Sequence, residues 1–342
     1  MNILFDIGHP AHVHLFKNFI SFLKERKHNV YVVSRKKDVT EVLLDYYEID
    51  YFSLSEPRKN KLGMLKELRS RNKQIFKLHQ KYKFDVSFGT SVSIGFLNRK
   101  YGVPAYNLNE DDDSVVKYYT YLSYPRATKI INPDCIRYQK WKKKRVLYPS
   151  YHEFAYLHPN NFHPDLAIVK EYGLEPYKYI IIRMSGLIAH HDSGMQGLGE
   201  ELLAKIKNLV EQKQGYRIIE SHELKKQYQI KPWDLHNVLA FSRMIISDSQ
   251  TMTIEGAVLG VPSIRINTFI DKSTVIEELE KKYLLAYGFY PTETEPIIAT
   301  VQKLLNNENL TSIWTEKKKN LLVDKIDMNK WMIDYFVDEI EK

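Results

Sequence analysis

The residues most able to do chemistry are concentrated in four short stretches. GHPAHVH, residues 8 to 14, places His9, His12 and His14 within six positions. Imidazole titrates near neutrality, so such a loop can move a proton or, with Asp6 close by, hold a metal ion. No other short-range carboxylate supports the metal, and proton transfer by His12 at the first helical turn is the favoured chemistry, His9 and His14 being packing residues or substrate contacts. IIIRMSGLIAHHDSG, residues 180 to 194, brings Arg183 to a strand end ahead of Ser185 and Gly186. A guanidinium fork and closely approaching backbone amides suit a diphosphate, and His190, His191 and Asp192 can shape a neighbouring pocket or pair as a base with its orienting carboxylate. In IISDSQTMTIEGAVLGVPSIRIN, residues 245 to 267, an apolar strand ends at Asp248-Ser249 and a helix starts over Gln250 and Thr251. Its first amides and positive dipole end suit a phosphate, while Glu255 offers two oxygens to a ribose diol. The plain alternative is that Ser249 caps the helix and Glu255 is solvated. The run Glu110-Asp111-Asp112-Asp113 gathers oxygens, yet neighbouring residues cannot all face one ion. Glu110 is therefore read as an acid or acceptor-binding group, with the three aspartates capping a following helix.

These stretches sit at the ends of elements that the apolar pattern predicts. NILFDI (2 to 7) reads as a buried parallel strand, and Val13, Phe16, Ile20 and Leu23 then recur at helical spacing. NVYVVSR (29 to 35), FDVSFGT (84 to 90) and GVPAYNL (102 to 108) read as further strands, with DVTEVLLDYY as a helix. The pattern loosens between about 125 and 165. A second series follows, with strands at YKYIIIRMS, YRIIES, RMIISDS and VPSIRIN and helices between them. Repeated alternation predicts two doubly wound parallel sheets, and ligands of such sheets bind beyond the carboxyl ends of the strands. The expected division is 1–165, then 166–325, with a terminal helix over 326–342 returning to the first domain.

The chain has 342 residues, 44% of them hydrophobic, enough for two substantial cores. No run of about 18 apolar residues occurs and no basic region precedes a signal core, so a cytoplasmic location is expected. Cys135 is the only cysteine, which excludes an intrachain disulfide or a multi-cysteine metal site. The formal charge of +8 favours an anionic partner. Residues 57 to 83 hold ten Lys or Arg against one Glu, with Leu65, Leu68, Ile75 and Phe76 for an apolar side. That stretch is either a solvated outer helix face or a basic amphipathic helix lying on an anionic membrane surface. No nucleic-acid reader motif accompanies it.

SDSQTMTIEGAVLGVP resembles the donor-site signature of GT-B nucleotide-sugar enzymes, among them UDP-N-acetylglucosamine 2-epimerase and the N-acetylglucosaminyltransferase that makes lipid II. The resemblance sets Ser249 on the phosphate-contacting serine and Glu255 on the glutamate that holds the ribose hydroxyls. Gln250 and Thr251 stand where the epimerase has two glycines. GHPAHVH is similar to the first loop of the lipid II-forming enzyme, with His12 on its loop histidine. FDVSFGTSVSIGF resembles its second loop, and VPAYNLNED its strand leading to a histidine–glutamate pair, where Asn109 and Glu110 now stand. The opening DIGHPAHVHLFKNFI, the AHHD element and the AYLHP element together resemble the GT-B-like family called domain of unknown function 354.

The resemblance implies a GT-B fold, two Rossmann-like domains facing across a cleft. It also implies metal-independent, inverting transfer of a sugar from a nucleotide-diphosphate donor, UDP-linked, to a glycan or lipid-linked acceptor in surface polysaccharide synthesis. No cofactor is implied, and nucleic acid is not an expected partner. In that reading Arg183, Ser185, Gly186, Ser249, Gln250, Thr251 and Glu255 hold the donor, and His12 and Glu110 perform the chemistry. His9, His14, Thr90, Asn109, His190, His191 and Asp192 touch sugar or acceptor. One alternative is 2-epimerisation of a UDP-N-acetylhexosamine, disfavoured because Thr90 follows Gly89 where the epimerases carry an aspartate. Another is a non-catalytic membrane or nucleic-acid binder on the same scaffold.

Overall fold

The computed structural model describes residues 1–58, 60–185, 197–222 and 227–340. The chain forms two compact units, Met1–Tyr156 with Asp327–Lys342, and Leu157–Ile326. The division falls before residue 165 because Tyr151, Phe154 and Tyr156 are buried, and the His14 ring stacks on Tyr156 at 5.1 Å. The loosened sequence around them hides a packed aromatic segment.

The first unit is built on a seven-stranded sheet. Its strands are β1 (Asn2–Ile7), β2 (Asn29–Arg35), β3 (Tyr51–Ser55), β4 (Val86–Gly89), β5 (Ala105–Leu108), β6 (Lys129–Pro133) and β7 (Arg145–Tyr148). They lie in the order β3-β2-β1-β4-β5-β6-β7, every pair parallel. The order reverses between β1 and β4, and that is where a doubly wound sheet opens a crevice. At this point Gly89 packs so close that a Cβ there would lie 2.7 Å from the Asp6 carbonyl oxygen.

The helix Pro10–Glu25 follows β1. Proline at its first position has no amide to lose, and His9 caps it, Nδ1 accepting the Ala11 amide at 3.2 Å. Val13, Phe16, Phe19, Ile20 and Leu23 are buried along one side. The terminal helix Met328–Ile340 completes this unit, with Phe336 4.3 Å from Phe88, 5.3 Å from Phe19 and 5.1 Å from Tyr106, ring centroid to centroid.

The second unit holds a six-stranded sheet: β8 (Tyr179–Met184), β9 (Arg217–His222), β10 (Gln227–Tyr228), β11 (Met244–Ser247), β12 (Ser263–Ile266) and β13 (Ala286–Phe289). The order is β10-β9-β8-β11-β12-β13, with only β10 antiparallel to its neighbour. Its reversal lies between β8 and β11. The helix Gln250–Leu259 after β11 is buried from Met252 to Leu259, and Gly260 at φ 82° ends it. Gly256 lets it sit close to the sheet, since a Cβ there would be 2.5 Å from Ser263 Oγ and 2.6 Å from Ile245 Cγ2. Among the described residues no helix is long and apolar enough to cross a membrane.

Candidate functional site

In the first unit a buried polar network fixes the carboxyl ends of the strands. Asp6, at the end of β1, is fully buried and is held by the Arg71 guanidinium and the Ser91 hydroxyl. Arg71 also donates to the Ser34 carbonyl at 2.7 Å and Ser55 Oγ at 3.1 Å, so one side chain ties β1, β2 and β3 together. Ser91 caps the helix Val92–Tyr101 by accepting the Ser93 amide. Thr90 is thereby fixed between β4 and that cap.

The Thr90 hydroxyl lies 2.7 Å from Nδ1 and 2.6 Å from Nε2 of His12, and the Gly8 amide donates to Nδ1 at 3.3 Å. Desolvation first, then the neighbouring His9, His152 and Lys37, hold the His12 pKa well below its ordinary value. The imidazole is neutral at pH 7. The neutral ring keeps one nitrogen without a proton, which its tautomer decides, and the Thr90 hydroxyl lies against it.

The other histidines of this loop are used differently. His9 is the helix cap. His14 lies about 200° around the helix from His12 and points inward. It is 5% exposed, stacked on Tyr156 and edge-on to Tyr47 at 5.9 Å, so it packs the interior. Asp6 is committed to Arg71 and Ser91, and among the described residues no metal-holding cluster includes His9, His12 or His14.

At the end of β5, Asn109 is 8% exposed and occupied, its Nδ2 donating to Tyr124 Oη at 2.7 Å. Glu110 is half-buried and accepts the His152 amide at 3.3 Å, with His152 Nδ1 3.7 Å away. Burial pushes the His152 pKa down to about 3, so this pair is a neutral imidazole beside a carboxylate. Asp111 is the unusual member of the run. Desolvation, then the Glu110 and Asp112 charges, raise its pKa to about 7. The expected capping role of the aspartates is not found. Asp112 accepts the Arg137 amide at 2.7 Å and Asp113 pairs with Arg145 at 2.6 Å, while the helix Lys117–Ser123 has no side-chain cap.

In the second unit the ends of β8 and β11 are linked through Asp248. This residue is 1% exposed, and its Oδ1 accepts the Ser185 amide at 2.6 Å. Its Oδ2 is buried with no hydrogen-bond partner among the described residues, and a Cβ on Gly197 would come within 2.5 Å of it. Desolvation raises the Asp248 pKa against the lowering effect of the Ser185 amide. Asn267 secures the same corner, donating to the Asp248 carbonyl at 2.9 Å.

Ser249 caps the helix Gln250–Leu259, Oγ accepting the Met252 amide at 3.4 Å, with Gln250 and Thr251 half-buried in the first turn. Arg183 donates to Ser221 Oγ at 2.6 Å and its guanidinium lies 5.5 Å from the Tyr228 ring. Glu255 is not solvated: it is 4% exposed, with Oε1 3.1 Å from His236 Nε2. Gly186, His190, His191 and Asp192 lie outside the described residues.

The structure therefore brings His12 and Thr90 together at one strand end, Glu110, Asp111 and His152 at another, and Ser185, Asp248 and Ser249 at a third. Asp6 and Asp248 were the residues with a signal in the sequence, each a carboxylate at the end of an otherwise apolar strand run. Arg71 is indistinguishable as one of ten basic residues in its stretch, and His152 comes from a stretch without periodicity.

Solved structures with this architecture span essentially the whole chain. The MnaA–UDP complex from S. aureus aligns at TM-score 0.70 with 14% identity, covering 100% of this chain and 98% of that one. The UDP-GlcNAc 2-epimerase of Methanocaldococcus jannaschii aligns at 0.69 with 12% identity, covering 99% and 100%. The spinosyn rhamnosyltransferase SpnG complexed with thymidine diphosphate aligns at 0.63 with 10% identity, covering 100% of each. At such identities the likeness shows the fold, which is GT-B. Comparison with curated proteins finds no match. The family model described as "Protein of unknown function (DUF354)" matches residues 1–337.

Proposed function

We propose that this chain, which belongs to the DUF354 family, is a glycosyltransferase that moves a sugar from a nucleotide-diphosphate donor to a hydroxyl acceptor. The observation that carries the reading is the corner at Ser185, Asp248 and Ser249. There a buried carboxylate fixes the backbone of one strand end beside the capped N-terminus of a helix, an arrangement suited to receive a diphosphate. Arg183, Gln250 and Thr251 lie on the same elements and add donors. Glu255, held by His236, is the group proposed to reach the ribose hydroxyls.

In the first unit, His12 is proposed to remove the acceptor proton, kept neutral by burial and oriented by Thr90. Asp111, carrying its proton near neutrality, and Glu110 are proposed to orient the acceptor or return a proton. Catalysis then consists of positioning, proton removal and stabilisation of the leaving diphosphate by the helix terminus. UDP as the nucleotide, inversion at the transferred carbon, independence from metal and an acceptor that is a glycan or lipid-linked belong to the same proposal. Support comes from the UDP and thymidine diphosphate complexes among the structures of like fold.

A second reading, 2-epimerisation of a UDP-N-acetylhexosamine, is favoured by the 2-epimerase among the aligned structures. Incubating the protein with UDP-N-acetylglucosamine, with and without a glycan acceptor mixture, separates the two. Transfer requires the acceptor and releases UDP, whereas epimerisation converts the sugar nucleotide alone. His12→Ala is expected to abolish turnover with donor affinity retained, and Glu255→Ala to weaken donor binding. Full turnover in both variants contradicts the assignment.

A further inference from the structure

On the first unit, away from the strand ends, the helix Lys61–Tyr82 runs beside the helix Val92–Tyr101. Between them lies an open cavity of about 430 Å³ lined by Arg69, Asn72, Lys73, Phe76, Lys77 and Lys100, with Gln80 and Tyr101 beside them. Four cations and two aromatic rings face this space and no carboxylate does. The helix carries a single acid, Glu67, which is 8% exposed and turned the other way. Its oxygens take Arg35 in a two-point pair at 2.7 and 3.0 Å and accept from Ser55 and the Arg58 amide. It neutralises nothing on the outer face.

Two further observations say what could fill the cavity. Asn72 is 8% exposed, and its buried Oδ1 has no hydrogen-bond partner among the described residues, so the wall offers an unspent polar group to a ligand. At the start of the same helix, Leu62, Met64 and Leu65 are 72%, 54% and 45% exposed. Leu62, Leu65, Arg69, Lys73 and Phe76 recur at three- and four-residue spacing, so apolar tips and cations share one stripe. Cations around a small open cavity with aromatic rings in its wall, on the same helix as exposed leucines, fit a surface that presents phosphates above hydrocarbon.

We infer that this face docks on an anionic phospholipid bilayer, with one phosphate headgroup seated between Arg69, Lys73, Lys77 and Lys100 and with Leu62, Met64 and Leu65 entering the headgroup boundary. Asn72 bonds the polar part of that headgroup. This face stands apart from the proposed reaction, because Arg71, which the same helix sends to the strand ends, is not among the residues lining the cavity.

The test is co-sedimentation of the full chain with phosphatidylglycerol–phosphatidylcholine vesicles and with phosphatidylcholine vesicles alone, without sugar nucleotide. Binding is expected only to the anionic vesicles and is expected to fall steeply with salt. Lys73→Gln with Lys77→Gln is expected to lower the partition coefficient about thirtyfold, each basic residue contributing about fivefold. Leu62→Ser with Leu65→Ser lowers it without changing charge. Asn72→Leu, close in shape, is expected to weaken anionic-vesicle binding while the far-ultraviolet circular dichroism and melting temperature stay native-like.

Equal binding to both vesicle types, or no binding to either, overturns the inference. So does tighter binding to an oligonucleotide than to the anionic vesicles, or saturation by free glycerol phosphate that ignores the leucine variant. Vesicle binding unchanged in Asn72→Leu removes the headgroup seat. Because turnover is not measured, failure here leaves the proposed reaction where it stood, and failure of the reaction leaves this result readable.

Discussion

Asp111→Asn should stabilise the protein at alkaline pH while removing a working proton. Burial beside Glu110 and Asp112 moves the Asp111 pKa from its ordinary 3.8 to about 7, so the native state holds this proton more tightly than the unfolded chain does. Stability from this group is therefore full below the unfolded value and is lost as pH rises through the folded one. A displacement of that size corresponds to about 4 kcal/mol if nothing screens it. Roughly half of this falls between pH 5.5 and 8.5, and partial exposure with coupling to two neighbouring carboxylates reduces that share to about 1–2 kcal/mol. Asparagine carries no charge at either pH. Its advantage over the native residue in chemical or thermal denaturation should grow by about 1–2 kcal/mol from pH 5.5 to 8.5, roughly 2–8 °C in melting temperature for a unit of this size. The same variant should lose turnover, the exchange of stability for function expected at a strained site. A difference between variant and native protein that is flat with pH refutes the electrostatic account of the Glu110–Asp113 run.

His12 works in the opposite direction: its folded pKa lies well below the ordinary 6.5, so stability is lost as pH falls below that value, and His12→Gln should flatten part of the acid limb in pH-resolved melts. Arg265 is 1% exposed, its Nη2 donates to Glu280 at 3.1 Å, and its Nε and Nη1 have no hydrogen-bond partner among the described residues. Glu280→Ala should therefore cost about 3–5 kcal/mol in urea denaturation, and replacing both residues by Met and Leu should recover most of it. Phe336→Ala opens a gap against Phe19, Phe88 and Tyr106 and should cost about 3–5 kcal/mol, read in the unfolding of the first unit.

Much of the sheet architecture can be read from the chain. Apolar runs such as NILFDI and YIIIRM, each followed by helical spacing, fix strand and helix type because strands covered on both faces must be continuously apolar. The short strands β3, β6 and β7 escape that reading. YFSLS is only partly buried, and KIINP ends in a proline, so neither carries the signature of a covered strand. At the site, His12, Ser185 and Ser249 are visible because each lies where an apolar run meets a loop. The groups that hold the site's carboxylates are not. Arg71 reaches Asp6, His152 reaches Glu110 and His236 reaches Glu255 from other elements, and the pairing depends on packing that no local spacing encodes. Exposure is equally opaque: His9, His12 and His14 look alike in sequence, yet helix geometry makes one a cap, one a neutral acceptor beside Thr90 and one a core residue.

In the proposed function the second unit grips a nucleotide diphosphate at the corner formed by Ser185, Asp248 and Ser249. Calorimetric titration of the full chain with UDP tests it most directly, alongside Ser249→Ala and a Gly197→Val variant that pushes a side chain into Asp248. One UDP site per chain is expected, weakened in both variants while their melting curves remain cooperative. No heat of binding from UDP or thymidine diphosphate, or affinity identical in all three proteins, contradicts it.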